Sequence, residues 1–171
     1  MKQVFLQIIA EWLEDELVKD IIKRNINLPD PTTLSEILAI TGPRRAGKTY
    51  LMYQMISELI STKKYSKYNI LFVDFEDYRL SGVKPANIEE LLTAFVILTK
   101  NLPKFIFFDE IQHLPEWGRV LRTLHNQRKY KIIVSGSNSE LLSKEVATEL
   151  RGRYSDILVL PYSFKIGRAH V

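Results

Sequence analysis

Apolar positions at the start of the chain recur with helical spacing. Phe5, Ile9, Leu13, Leu17 and Ile21 share one face with Ile8 and Trp12 beside them, while Lys2, Glu11, Glu14 and Lys19 fall on the others. The pattern predicts an amphipathic helix within residues 1–26. Such a face packs on the chain's own core, the commoner arrangement, or docks on a partner. Residues 27–33, with Pro29, Asp30 and Pro31, read as a turn-rich connector that stops the helix. Beyond it, short apolar runs alternate with amphipathic stretches. Strands are expected at 37–41, 69–74, 104–108, 131–135 and 156–160, and helices at 48–61, 87–99, 115–128 and 139–149. That alternation is the signature of an α/β fold, a parallel sheet covered by helices on both faces.

Local chemistry supports several boundaries. Asn87 is suited to cap its helix, with Glu90 returning the hydrogen bond. Pro115 suits a first helical turn, where its missing N–H has no intrahelical partner to lose. Arg128 and Lys129 place cations at the carbonyl end of the 115–128 helix. Neither an internal repeat nor a low-complexity tract interrupts the pattern.

Composition narrows the class without changing the fold. With 46% hydrophobic and 26% charged residues, 171 residues suit one domain, burying about 70% of the unfolded surface. Twenty-four basic against 20 acidic residues leave +4, compatible with phosphate or nucleic-acid contact but short of a basic tail. Cysteine is absent, which excludes disulfides and thiolate metal sites. No run of about 18 apolar residues is present to span a bilayer. Glu11, Glu14, Asp15 and Glu16 break up any signal or transit peptide, so the expected location is the cytoplasm, away from membranes.

The chemistry concentrates where strands end. Gly42-Pro43-Arg44-Arg45-Ala46-Gly47-Lys48-Thr49 matches GxxxxGK(S/T) between the 37–41 strand and the helix from Lys48. A nucleoside triphosphate is a concentrated anion. It needs several backbone N–H groups converging without side chains in the way, at the positive end of a helix. Gly42, Arg44, Arg45, Ala46, Gly47, Lys48, Thr49 and Tyr50 are therefore the expected nucleotide-binding set. Lys48 reaches the β and γ phosphates, and the Thr49 hydroxyl is placed to ligate Mg²⁺.

A second motif is Phe105-Ile106-Phe107-Phe108 running into Asp109-Glu110, a buried strand whose carboxyl edge carries charge. Asp109 is expected to hold magnesium through its waters, and Glu110 to orient and polarise the attacking water. After the next strand, Ser137 and Asn138 are candidates to touch the γ phosphate or the water, and equally good candidates for a helix N-cap. Arg151 and Arg153 flank a turn and read either as phosphate sensors, in cis or on a neighbouring subunit's nucleotide, or as a surface pair. Asp74, Glu76, Asp77 and Arg79 follow the second strand as a charged cluster that a solvated loop also explains. His113 and His125 lack metal-ligand spacing, and Trp117, Leu121 and Leu124 form a stripe best read as core.

Together these segments resemble the prokaryotic AAA-type ATPases in which an ATPase module precedes a C-terminal domain related to restriction-type nucleases. The resemblance is carried by GPRRAGKTYLMYQM at 42–55, VDFEDYRL at 73–80, FIFFDEIQHLPEWGRVLRTL at 105–124, VSGSNSELLSKEVATELRGR at 134–153 and LPYSF at 160–164, and covers residues 20–165. It implies a P-loop three-layer sandwich with a five-stranded, mainly parallel sheet of order 5-1-4-3-2, the strand ending at Ser135 lying between those ending at Thr41 and Phe108. It also implies Glu110 as the catalytic acid and the Ser137 region as the sensor. The ATPase core is expected over 27–165. Ile166-Gly167-Arg168-Ala169-His170-Val171 departs from the family's continuation and reads as translated sequencing adapter, hence a non-native tail on a truncated chain. The expected activity is Mg²⁺-dependent ATP hydrolysis driving conformational change. The missing C-terminal region leaves DNA or another protein as candidate partner, and a homo-oligomer as a candidate assembly. The alternatives are a nucleotide-gated interaction scaffold and a small-molecule phosphotransferase.

Overall fold

Strands form where branched and aromatic residues can bury both faces. A computed structural model describes residues 1–17, 26–62, 64–136, 150 and 152–161. In it β1 (Ile37–Thr41), β2 (Ile70–Asp74), β3 (Phe105–Asp109), β4 (Lys131–Gly136) and β5 (Tyr154–Leu158) build one sheet. Its order is β2-β3-β4-β1-β5 with every pairing parallel, as the α/β expectation and the 5-1-4-3-2 order require. The helices are α1 (Lys2–Glu14), α2 (Lys48–Ser61), α3 (Ile88–Thr99) and α4 (Trp117–Asn126).

The period-two pleat divides the strand residues between two cores. Ala39, Val73, Phe108 and Val134 face α3 and α4, with Leu91, Phe95, Trp117, Leu121 and Leu124 packed on them. Leu38, Ile40, Phe107 and Ile133 face α2, with Leu51, Met52, Met55 and Ile56. Phe105, Phe107 and Phe108 are wholly buried in β3, each contributing about 1.5–3 kcal/mol of transfer free energy. This anchors the strand whose end carries the two acids.

The first helix packs on its own domain. Phe5, Ile8 and Ile9 enter the core shared with α3, and Trp12 enters the other, so α1 wraps the sheet edge formed by β2. Trp12 Nε1 donates to the Ile70 carbonyl at 2.9 Å, and its ring stacks on Phe72 with centroids 5.1 Å apart. An edge carbonyl that would otherwise face outward is thereby satisfied. Arg79, from the turn after β2, donates both Nη groups to the Glu11 carboxylate at 2.8 Å and also grips Asp77, which ties α1 to that turn.

Several boundaries differ from expectation. The first helix stops at Glu14, where Asp15 turns extended, so Leu17 packs from beyond its end; Ile21 lies outside the described residues. Asn87 does not cap α3. Its own backbone is helical, and its side chain instead accepts the Lys84 N–H at 3.0 Å and donates to Glu90 at 3.1 Å, closing a 3₁₀ turn before the helix. Pro115 precedes rather than enters α4, because Glu116 is left-handed at φ 51° and the helix begins at Trp117. At the other end α4 stops at Asn126, and Arg128 is left-handed at φ 53°, a position past the helix. β5 begins two residues early, since pairing of Tyr154 with Ile37, not the apolar run at 157–160, sets its register. The expected helix at 139–149 and the tail at 166–171 lie outside the described residues.

Trp12 tests the edge closure. Trp12→Phe keeps a ring on Phe72 but orphans the Ile70 carbonyl, an expected loss of about 1–3 kcal/mol. Trp12→Ala removes the ring too and should lose about 3–5 kcal/mol. Urea unfolding of the two variants measures both, and a Trp12→Phe variant as stable as the parent would show that the hydrogen bond adds nothing.

Candidate functional site

The carboxyl ends of β1, β3 and β2 meet at one edge of the sheet, where ligands bind in open α/β folds. From β1 the chain turns through Gly42 at φ 149°, Arg45 at φ 62° and Gly47 at φ 90°, and Gly47 starts α2 as its N-cap. Left-handed residues alternating with ordinary ones turn successive N–H groups toward one concavity, continued by the first turn of α2. Gly42 meets a second demand. Val159 N–H donates to the Thr41 carbonyl at 2.7 Å, and a Cβ on Gly42 would stand 2.1 Å from the Val159 carbonyl oxygen. Glycine is required there by the chain leaving β5 as well as by any phosphate.

Lys48 is the first residue of α2 and is only 3% exposed. Its Nζ donates to the carbonyls of Gly42 and Pro43, 3.2 Å each, and lies 3.5 Å from Glu110 Oε1. Thr49 Oγ1 donates to Asp109 Oδ2 at 2.6 Å. The other Asp109 oxygen accepts from Ser135 Oγ, and Ser135 Oγ in turn accepts the Glu110 N–H at 3.0 Å. Burial pushes the Asp109 carboxyl up, against the hydrogen bonds from Ser135 and Thr49 that favour the anion. Glu110 is left-handed at φ 48°, a sharp turn straight out of β3 that costs about 1–3 kcal/mol and brings its carboxylate back to Lys48. Gln112 Nε2 donates to Glu110 Oε2 at 2.6 Å.

A third acid stands alongside. Asp74 ends β2 in register with Asp109, and the Phe75 N–H donates to the Asp109 carbonyl at 3.0 Å. Burial, then the charges of Asp109, Glu76 and Glu110, push Asp74 up to about 6, although the Glu76 N–H stabilises its anion. The same setting, burial first and then Asp109 and Asp74, pushes the Tyr53 phenol up to about 12. Glu76 itself lies 3.6 Å from Arg44 at the exposed lip of the loop. Exposed Tyr50 follows Thr49 on the same helix turn.

The structure thus brings together Lys48, Thr49, Asp109 and Glu110, and adds Ser135, Gln112 and Asp74. Thr49 and Asp109 offer a hydroxyl and a carboxylate side by side, the hard oxygen set that suits Mg²⁺ when it keeps most of its waters. Among the described residues no three acidic or histidine side chains converge to hold a metal by themselves, so waters and phosphate must complete such a shell. Ser137, Asn138 and Arg151 lie outside the described residues. Arg153 is not brought to the loop. Its carbonyl accepts the Ile37 N–H at 2.8 Å, at the amino end of β1, a strand length of about 13 Å from Thr41. His113 is exposed, and His125 faces the Ser35 carbonyl at 3.0 Å, away from the acids.

Ser135 escaped the sequence reading because only strand order places it beside β3. Its one sequence signal is a polar residue ending an apolar run.

Residues 34–166 match the family model described as an AAA domain. The chain belongs to the AAA domain family. It is 37% identical over 164 residues to an uncharacterised protein of Methanocaldococcus jannaschii, covering 96% of this chain and 35% of that one. It is 33% identical over 129 residues to an uncharacterised protein of Haemophilus influenzae, covering 75% of this chain and 32% of that one. The AAA chain therefore spans about a third of the length of these relatives. Among solved structures it is similar to C. elegans PCH-2, with a TM-score of 0.50 and 13% identity, over 92% of this chain and 41% of the other, a likeness of fold. No helix among the described residues of this AAA chain is long and apolar enough to cross a membrane.

The raised Asp74 gives a pH signature. Its folded value, about 6, exceeds the unfolded one near 3.8, so the folded state binds the extra proton between them and this group's contribution to stability falls as pH rises through that window. Asp74→Asn keeps an acceptor for the Glu76 N–H. It should raise the melting temperature above pH 6, with the gain shrinking toward zero near pH 4. Thermal unfolding in EDTA from pH 4 to 8 checks this, and a pH-independent difference would remove the charge explanation.

Proposed function

We propose that this AAA module binds ATP with Mg²⁺ and hydrolyses it, and that turnover drives a conformational change in an attached section or a partner. The observation that carries the reading is the single buried cluster in which Lys48, the Thr49 hydroxyl and the Asp109 and Glu110 carboxylates meet beside the phosphate-type loop. Family membership supports it, as does the greater length of the relatives, which leaves room for a driven section.

In this reading the backbone from Arg45 to Thr49, with Gly42, Arg44, Ala46 and Tyr50 around it, surrounds the phosphates. Lys48 exchanges its carbonyl and Glu110 partners for β and γ phosphate oxygens. Thr49 and Asp109 hold the magnesium and its waters, and the bound cation supplies charge neutralisation on the phosphates. Glu110, freed from Lys48, orients a water toward the γ phosphorus and accepts its proton. The new P–O bond forms as the bond to the β–γ bridging oxygen breaks, releasing ADP and phosphate. Ser135 holds Asp109 and the Glu110 backbone in place. Ser137, Asn138 and Arg151 remain proposed contacts to the γ phosphate, and Arg153 to a neighbouring subunit's nucleotide.

In the scaffold alternative turnover is incidental and the N-terminal helix docks a partner. The face of α1 is instead buried on α3 and β2. The phosphotransferase alternative needs a nucleophile other than water, whereas the role proposed here for Glu110 is to activate water.

Calorimetry with ATP and Mg²⁺ should show saturable uptake by the parent and none by Lys48→Ala. A parent without uptake ends the reading. Glu110→Gln removes a negative charge 3.5 Å from Lys48, so ATP affinity should hold or rise while kcat falls about 10²–10⁴-fold. Hydrolysis by that variant at the parent rate would remove Glu110 from the mechanism.

A further inference from the structure

Gln112 is assigned no role by the hydrolytic scheme above, yet its side chain bonds directly to the acid that scheme depends on. It sits in the 3₁₀ turn immediately after Glu110, formed by Ile111–His113, with Ile111 and Leu114 anchored in the core. Its Nε2 lies 2.6 Å from Glu110 Oε2. The assignment of the amide is forced by chemistry, since the reverse orientation would set a carbonyl oxygen against a carboxylate oxygen. The distance is that of a charge-assisted bond, among the stronger hydrogen bonds available to a side chain.

The two Glu110 oxygens are therefore distinguished. Oε2 is held by Gln112 from the same turn, and Oε1 faces Lys48 at 3.5 Å. A phosphate that draws Lys48 away changes what Oε1 faces and leaves the Gln112 bond to Oε2 in place. The amide bond thus restrains the χ angles of a carboxylate that projects from a left-handed residue. The rest of the Gln112 amide is unusual as well. Oε1 of Gln112 is buried with no hydrogen-bond partner among the described residues. An orphaned acceptor of that kind costs about 1–3 kcal/mol, and leucine or methionine of similar volume would avoid it. A purely packing role does not explain an amide there, whereas a role for its N–H does.

We propose that Gln112 is a positioning residue for the hydrolysis assigned above, holding Glu110 by Oε2 so that Oε1, once Lys48 turns to phosphate, is the oxygen presented to the attacking water. The inference rests on that hydrolytic reading. Gln112 touches neither nucleotide nor metal in it, and acts through Glu110.

The test uses the full chain and two apolar variants of similar size, Gln112→Leu and Gln112→Met. Each should lower kcat about 10–100-fold, the scale of losses when a supporting hydrogen bond to a functional side chain is removed, with KM and the affinity for a non-hydrolysable ATP analogue changed less than about twofold. Combined with Glu110→Gln, neither should lower kcat further, because the group it positions is already gone. An unchanged kcat, or a loss that multiplies onto that of Glu110→Gln, overturns the proposal. A readout independent of turnover is the side-chain amide signal of Gln112 in a ¹⁵N-correlated NMR spectrum. It should be shifted downfield in the parent and move back in Glu110→Gln, which also covers the case in which the apolar variants fail to fold. A shift that is the same in both proteins overturns the assignment of Gln112 alone. A parent that turns over no ATP while its amide signal still depends on Glu110 overturns the hydrolytic reading, and this role with it.

Discussion

A buried carboxylate must find donors, and at Asp109 that requirement ties the site together. The side chain is almost wholly enclosed, so its anion persists only where hydrogen bonds replace water. One donor is Thr49 at the start of α2, and the other is Ser135 at the end of β4. The loop after β1, the end of β3 and the end of β4 are thereby fixed to a single group. Ser135 then uses its own oxygen to take the Glu110 N–H, carrying the same constraint into the strained turn that aims the second acid.

The remaining architecture keeps that junction rigid. Buried phenylalanines hold β3 from both faces, and β4 is clamped between β3 and β1 along its length. On one outer edge α1 covers β2, with Trp12 hydrogen-bonded to Ile70 and Arg79 tying Glu11 to the turn beyond Asp74. On the other side the backbone after β5 passes so close to Gly42 that no Cβ fits. The loop expected to cradle phosphate is therefore shaped from outside by Val159 as well as from within by its glycines.

Charge at this edge is only partly offset. Lys48 bridges loop carbonyls and Glu110, while Asp74 is left with acidic neighbours and rises accordingly. An edge with three acids and one buried lysine is suited to a polyanion accompanied by a cation, since the cation offsets the acids and the lysine and amides meet the anion. The same reasoning explains why Asp74, legible only as one member of a loop cluster, matters here. Parallel pairing of β2 with β3 places it opposite Asp109, and no feature of its own segment announces that neighbour.

Residues close in sequence were readable because their geometry is local. The loop at 42–49 and the acids 109–110 occupy a strand end in any parallel α/β arrangement, and the alternating pattern located all five strands within two residues. Helix ends were less legible, since left-handed turns at Glu116 and Arg128, and the return of Asn87 to Lys84, depend on packing that periodicity does not encode. Ser135, Gln112 and Asp74, and the distance of Arg153 from the loop, were decided by tertiary structure alone. Ser135, Asp74 and Arg153 depend on which strands are neighbours, contacts between segments whose separation along the chain carries no record of their meeting, while Gln112 stands two residues from Glu110 and depends on how its side chain folds back at the turn out of β3.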